Sequence, residues 1–128
     1  MANEPVLIVD DNPTNLKLLK VIMTYEGYEV RTATDANEAL QVLQEFHPAL
    51  ILMDIQLPGM DGLELTRKLR SNSIYENTVI IAVTAYAMKG DEEKTLAAGC
   101  NSYMSKPLDM KKLRSLVAEY FSKKGCST

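Results

Sequence analysis

Three short apolar runs interrupt an otherwise mixed chain: residues 6–9 (VLIV), 49–53 (ALILM) and 79–83 (VIIAV). Unbroken, β-branched-rich runs of this length suit strands buried on both faces, as in a parallel sheet covered by helices. Two weaker segments join them. Residues 28–33 (YEVRTA) alternate, with Tyr28, Val30 and Thr32 on one face, and residues 101–105 (NSYMS) are short and polar. Both patterns suit edge strands.

Between these runs the period changes to that of helices. Asn12 and Pro13 supply a cap and a first-turn proline, and Leu18, Leu19, Ile22 and Met23 form a stripe that stops at Gly27. Asp35 with Glu38 resembles a capping box ahead of Ala39, Leu40, Val42, Leu43 and Phe46. A third helix follows Asp61 with Leu63, Leu65 and Leu69. The fourth, near 88–98, ends at Gly99, a natural C′ glycine. The fifth starts at Asp109 and carries Leu113, Leu116, Val117, Tyr120 and Phe121. Strand and helix thus alternate five times, which predicts a three-layer α/β sandwich with a parallel sheet and right-handed crossovers.

The residues that end the strands are the informative ones. The first run stops at Asp10-Asp11, the third strand at Asp54, the fourth at Thr84, and the fifth is followed by Lys106-Pro107. In a parallel sheet all these ends lie at one edge, where open α/β sheets bind ligands. Three carboxylates, a hydroxyl and an ammonium are therefore expected to converge. At an effective dielectric of 20, like charges 4 Å apart cost about 4 kcal/mol per pair, so either a carboxyl takes up a proton or a cation occupies the gap. Hard oxygen ligands favour Mg²⁺ or Mn²⁺ over zinc and leave room for a phosphoryl group beside the metal. Thr84 and Lys106 could then hold the remaining phosphoryl oxygens, with Asp54 placed as the nucleophile. Taken singly, these residues have plainer readings: Asp11 or Asn12 as a helix cap, Thr84 as a strand-end hydroxyl, Lys106 as a solvated lysine. The case rests on all four strand ends together.

Composition narrows the field further. With 128 residues, a net charge of −3 and a pI of about 5.2, the chain reads as one soluble domain that does not favour nucleic acid or an anionic membrane. A single histidine, His47, excludes zinc sites built on paired histidines; it precedes Pro48 and reads as a helix terminus. Cys100 and Cys126 form neither a CxxC pair nor a framework and suit reduced thiols in the cytoplasm. No signal peptide or membrane-length apolar run is present. The six glycines permit neither GxGxxG nor a Walker loop. Two carboxylates after the first strand would repel a flavin phosphate. A haloacid-dehalogenase-type phosphatase would carry its nucleophile in a DxDx pattern at that strand, where this chain reads DDNPTN.

The segments VLIVDDNPTN, LILMDIQLPGMDGLEL, VIIAVTAYAMKGDEE and GCNSYMSKPL resemble the signatures of two-component receiver domains over residues 6 to about 122. TAYAMKGDEE and the GC-x-x-Y-x-SKP stretch look most like the DivK-type single-domain regulators, and similar stretches occur in receivers attached to hybrid histidine kinases. The resemblance implies a flavodoxin-like strand order 2-1-3-4-5. It also implies roles. Asp54 would be the phosphoacceptor. Asp11, Asp54 and the backbone carbonyl of Gln56 would ligate Mg²⁺ directly, and Asp10 would act mainly through a bound water. Lys106, Thr84 and Ala85 would meet the phosphoryl group, the Lys106–Pro107 bond would be cis, and Tyr103 would swing inward behind Thr84.

A non-enzymatic switch is thus expected, phosphorylated by a histidine kinase or phosphotransfer protein and read by a downstream protein target. The polar run Lys89-Gly90-Asp91-Glu92-Glu93-Lys94 suits either a solvated helix face or an easily shifted element of an α4-β5-α5 output face. Thr14, Leu18, Val21 and Tyr25 form a second stripe on the first helix, either buried or a docking face for the kinase. Gln56 and Tyr86 lie two residues beyond Asp54 and Thr84, where they would tune the lifetime of the acyl phosphate. A monomer or weak dimer is expected. The competing readings are an Mg²⁺-dependent phosphatase with an aspartyl-phosphate intermediate, and a receiver excised from a larger kinase. Residues 1–128 are expected to form a single receiver domain, with no room for an output domain.

Overall fold

Strand and helix alternate as the pattern requires in a computed structural model that describes residues 4–57, 59, 61–84, 91–105 and 109–126. The strands are β1 (Pro5–Val9), β2 (Glu29–Ala33), β3 (Leu50–Asp54), β4 (Val79–Thr84) and β5 (Ser102–Ser105), and the helices are α1 (Pro13–Tyr25), α2 (Ala36–Leu43), α3 (Gly62–Arg70), α4 (Asp91–Ala98) and α5 (Met110–Cys126). All four strand pairings are parallel and the order is β2-β1-β3-β4-β5. The edge assignment of the two weak strands holds. In β2, Val30 and Thr32 are half-buried while Glu29 and Arg31 are exposed, the alternation expected of an edge.

Alternating side chains of the central strands divide the core into two layers. Val6, Ile8, Leu50, Leu52 and Ile81 pack with Leu16, Leu19 and Met23 of α1 and with Leu113 and Val117 of α5. Leu7, Val9, Ile51, Met53, Ile80 and Ala82 pack on the opposite face with Ala36, Ala39 and Leu43 of α2 and with Leu65 and Leu69 of α3. This two-sided burial is why β1, β3 and β4 read as unbroken apolar runs.

Local signals set the helix ends. Asn12 caps α1 by accepting from the N–H groups of Thr14 (2.9 Å) and Asn15 (3.3 Å). Asp35 caps α2 through Glu38 N–H (2.7 Å), while Glu38 reaches back to Thr34 N–H, one residue before the position a strict capping box uses. Asp61 caps α3 through Glu64 N–H (2.8 Å) and Asp109 caps α5 through Lys111 N–H (3.0 Å). Gly99 ends α4 with φ +117°, a left-handed conformation that a Cβ disfavours. The expected start of α4 near residue 88 lies outside the described residues.

Two expectations need correction. The core stripe of α1 is Leu16, Leu19 and Met23 with Ile22 partly buried, whereas Leu18 is 46% exposed and belongs to the outer face alone. A 3₁₀ turn at Ser73–Tyr75 was not expected, and it buries Tyr75 in the α2–α3 layer.

Candidate functional site

Register carries the acidic residues to one place. Val9 lies opposite Met53, so Asp10 and Asp54 follow level with each other on neighbouring strands. Asp54 in turn lies opposite Val83, and Thr84 ends β4 one residue further on. Asp10, Asp54 and Thr84 are buried, while Asp11 is exposed. A carboxylate oxygen from each of Asp10, Asp11 and Asp54 lies within 4.8 Å of the others.

The same local device shapes both acidic strand ends. Asp10 Oδ1 accepts from Asn12 N–H and Asp54 Oδ1 accepts from Gln56 N–H, each at 2.9 Å. These Asx turns aim backbone donors at the carboxylates and let the chain leave the sheet without an unpaired N–H. Since Asn12 caps α1, the plain reading of Asp11 as a helix cap does not apply.

Three like charges at this spacing repel by about 3.5 kcal/mol per pair at an effective dielectric of 20. No buried side-chain nitrogen or oxygen among the described residues lacks a hydrogen-bond partner. An all-oxygen donor set with one water-facing member fits a small hard divalent cation, which keeps part of its hydration shell. The structure thus fits a bound Mg²⁺ in donor chemistry, and Gln56 is half-buried beside Asp54.

The other expected residues fall as follows. Tyr103 is half-buried on β5, opposite Ala82 and two positions before Ser105, the partner of Thr84. It borders an open groove of about 690 Å³ along β5 and α5, lined also by Met104, Ser105, Lys111, Lys112 and Leu116. Ala85, Tyr86, Lys106 and Pro107 lie outside the described residues. On α1, Thr14 is exposed, and Leu18, Val21 and Tyr25 are 46%, 59% and 85% exposed. The second stripe therefore faces outward, which removes its reading as a buried helix face. In α4, Glu92, Glu93 and Lys94 are exposed while Thr95 and Ala98 are buried, so little apolar surface anchors this helix. His47 stacks on the Tyr75 ring at 5.5 Å, beside the start of β3 and at the opposite edge from the carboxylates. Gly62 also lies beside the site, and its signal in the sequence is no more than the Asp61-Gly62 pair that opens α3.

A parallel 2-1-3-4-5 sheet with this acidic trio at its carboxyl edge defines a phosphoacceptor receiver. The chain matches the response regulator receiver domain family over residues 6–118 and belongs to it. It is 44% identical over 115 residues to the polar-differentiation response regulator DivK of Brucella ovis, a match covering 90% of this chain and 94% of that one. A CheY-like response regulator receiver domain protein from Methanospirillum hungatei superposes with a TM-score of 0.89 at 32% identity, covering 99% and 100% of the two chains. The receiver domain of sensor histidine kinase PA1611 from Pseudomonas aeruginosa, solved with a magnesium ion coordinated in its active-site cleft, gives 0.84 at 33% identity over 94% and 99%. The chain is thus a DivK-like receiver of a two-component system, whose partner is a histidine kinase or phosphotransfer protein. Among the described residues no helix is long and apolar enough to cross a membrane.

Proposed function

We propose that Asp54 is the phosphoacceptor and that this chain works as a cytoplasmic phosphorylation switch. The observation that carries the reading is the meeting of three carboxylates within 4.8 Å at the ends of two neighbouring buried strands. A carboxylate oxygen of Asp54 attacks the phosphorus of a phosphohistidine, the P–N bond breaks, and the imidazole leaves with its electron pair. The product is an acyl phosphate. Hydrolysis by water returns the carboxylate and inorganic phosphate, and Gln56 and Tyr86, each two residues beyond a strand-end site residue in the sequence, regulate that water.

Asp10, Asp11, Asp54 and the Gln56 carbonyl are the residues that would hold Mg²⁺, with Mn²⁺ a substitute of similar hardness. When bound, the cation offsets the charge of the carboxylates and of the phosphoryl oxygens. Thr84 donates its hydroxyl to one phosphoryl oxygen, Ala85 is the other residue that meets the group, and Lys106 supplies a positive charge. Together they stabilise charge that develops during transfer, the usual task of the protein in this chemistry.

Tyr103 follows Thr84 inward on phosphorylation and alters the α4-β5-α5 face, where a downstream protein reads the state. The outward stripe Thr14, Leu18, Val21 and Tyr25 starts three residues past Asp11, which suits it to seat a helical phosphodonor beside the site. Incubation with a phosphohistidine donor and Mg²⁺ tests the reading. Wild type should gain one label per chain that hydroxylamine removes, and Asp54→Asn should gain none. Sustained release of phosphate from small esters would instead favour the phosphatase.

A further inference from the structure

The first turn of α3 lies directly on the backbone of the phosphoacceptor. A Cβ on Gly62 would meet the carbonyl oxygen of Asp54 and stand 2.6 Å from Cα of Ile55 and 3.0 Å from the carbonyl carbon of Asp54. Backbone atoms cannot yield as the tip of a flexible side chain can. Gly62 is not among the glycines with positive φ, so close approach explains this glycine and backbone conformation does not. Its N–H also donates to the Ile55 carbonyl at 3.1 Å, tying the helix start to the strand exit.

The helix is packed against the sheet through Leu65. Leu65 and Thr66 are fully buried, and the Thr66 hydroxyl donates to the Gly62 carbonyl at 2.8 Å. Asp61 caps the same turn. A side chain at position 62 would therefore displace residues 54–56, which carry the Asp54 carboxylate and the Gln56 N–H bonded to it.

We propose that Gly62 is a positioning residue of the phosphoryl-transfer site: by admitting α3 against Asp54 and Ile55, it sets the Asp54 carboxylate and the Gln56 carbonyl relative to Asp10 and Asp11. Thr66 holds that turn in place. The proposal rests on the reading of Asp54 as phosphoacceptor and of the carboxylates as Mg²⁺ ligands.

Its test compares Mg²⁺ affinity by calorimetry, phosphoryl uptake from phosphoramidate at saturating Mg²⁺, and the urea midpoint. Gly62→Ala should weaken Mg²⁺ binding at least tenfold and slow uptake at saturating metal, in protein that still unfolds cooperatively. Thr66→Val, which keeps the shape and loses the hydroxyl, should weaken Mg²⁺ binding several-fold, and Thr66→Ser should restore it. A purely structural role would move the midpoint and leave metal affinity of the folded protein unchanged. Folded Gly62→Ala with affinity within twofold of wild type overturns the proposal. If that variant does not fold, an unchanged affinity in Thr66→Val overturns it and a weakened one supports it. Wild type that binds no Mg²⁺ and takes no phosphoryl group would instead bring down the underlying reading, and the proposal with it.

Discussion

The two edges of the sheet treat charge in opposite ways. At the amino edge, Arg70 at the end of α3 spends its guanidinium on three acceptors: the Gly99 carbonyl (2.9 Å), the Tyr75 carbonyl (2.6 Å) and Asn101 Oδ1 (2.8 Å). Asn101 Oδ1 also accepts from Ile80 N–H at 2.8 Å. One cation thus ties α3, the 3₁₀ turn, the end of α4 and the starts of β4 and β5. Burial lowers its pKa, with a smaller opposing effect from the neighbouring Cys100, yet a guanidinium remains charged. At the carboxyl edge, three groups of the same sign are gathered within 4.8 Å. A cation shared among neutral oxygen acceptors builds a joint; like charge kept together builds a site that a ligand can complete.

Removing the joint should have the largest effect. Arg70→Ala leaves three oxygens short of a charged donor, and a loss of about 3 kcal/mol is expected, read as a lower urea midpoint at unchanged slope. Arg70→Lys should recover less than half, because an ammonium cannot serve three acceptors spread along a planar fork. A variant as stable as wild type would break the contrast between the edges.

The opposite edge should respond to metal instead. Mg²⁺ at ten times its dissociation constant should stabilise wild type by about 1.4 kcal/mol, and Asp11→Asn should lose most of that gain. Equal stabilisation of the variant by Mg²⁺ would show that the trio is not where the cation acts.

The smallest effect sharpens the picture near the joint. Burial raises the Cys100 thiol above its ordinary value of 9.0, partly offset by the Thr66 hydroxyl and by Arg70. The neutral thiol is therefore favoured in the fold. Its contribution to stability is complete below about pH 9 and is lost as pH rises through the raised value. Cys100→Ala should flatten the decline of stability just above that pH. Tyr28, raised from 10.0 chiefly by burial and then by Glu4 and Glu26, accounts for a later decline that the substitution leaves intact.

Most of the frame was legible because its signals are local. Apolar runs marked the strands, and Asn12, Asp35, Asp61 and Asp109 marked the helix starts, since a cap is satisfied within three residues. The convergence of Asp10, Asp11 and Asp54 beside the strand that ends at Thr84 was legible because a parallel sheet sends every strand end of that sense to one edge. The outer stripe of α1 was visible as apolar, but nothing in a helical period says whether a face meets the core or water. Arg70 was invisible: its partners lie 5, 29 and 31 residues away along the chain. Gly62 was invisible for the same reason, since its neighbours belong to another element.

The sequence alone determined the alternation of elements, the class of fold and the acidic chemistry at the strand ends, because periodicity and residue type express them within a few positions. Only the tertiary structure decided the register that levels Asp10 with Asp54, the outward turn of Leu18, Val21 and Tyr25, and the contact of α3 with the backbone of Asp54 and Ile55. Those features depend on distances between segments that meet solely when the two core layers close on the sheet.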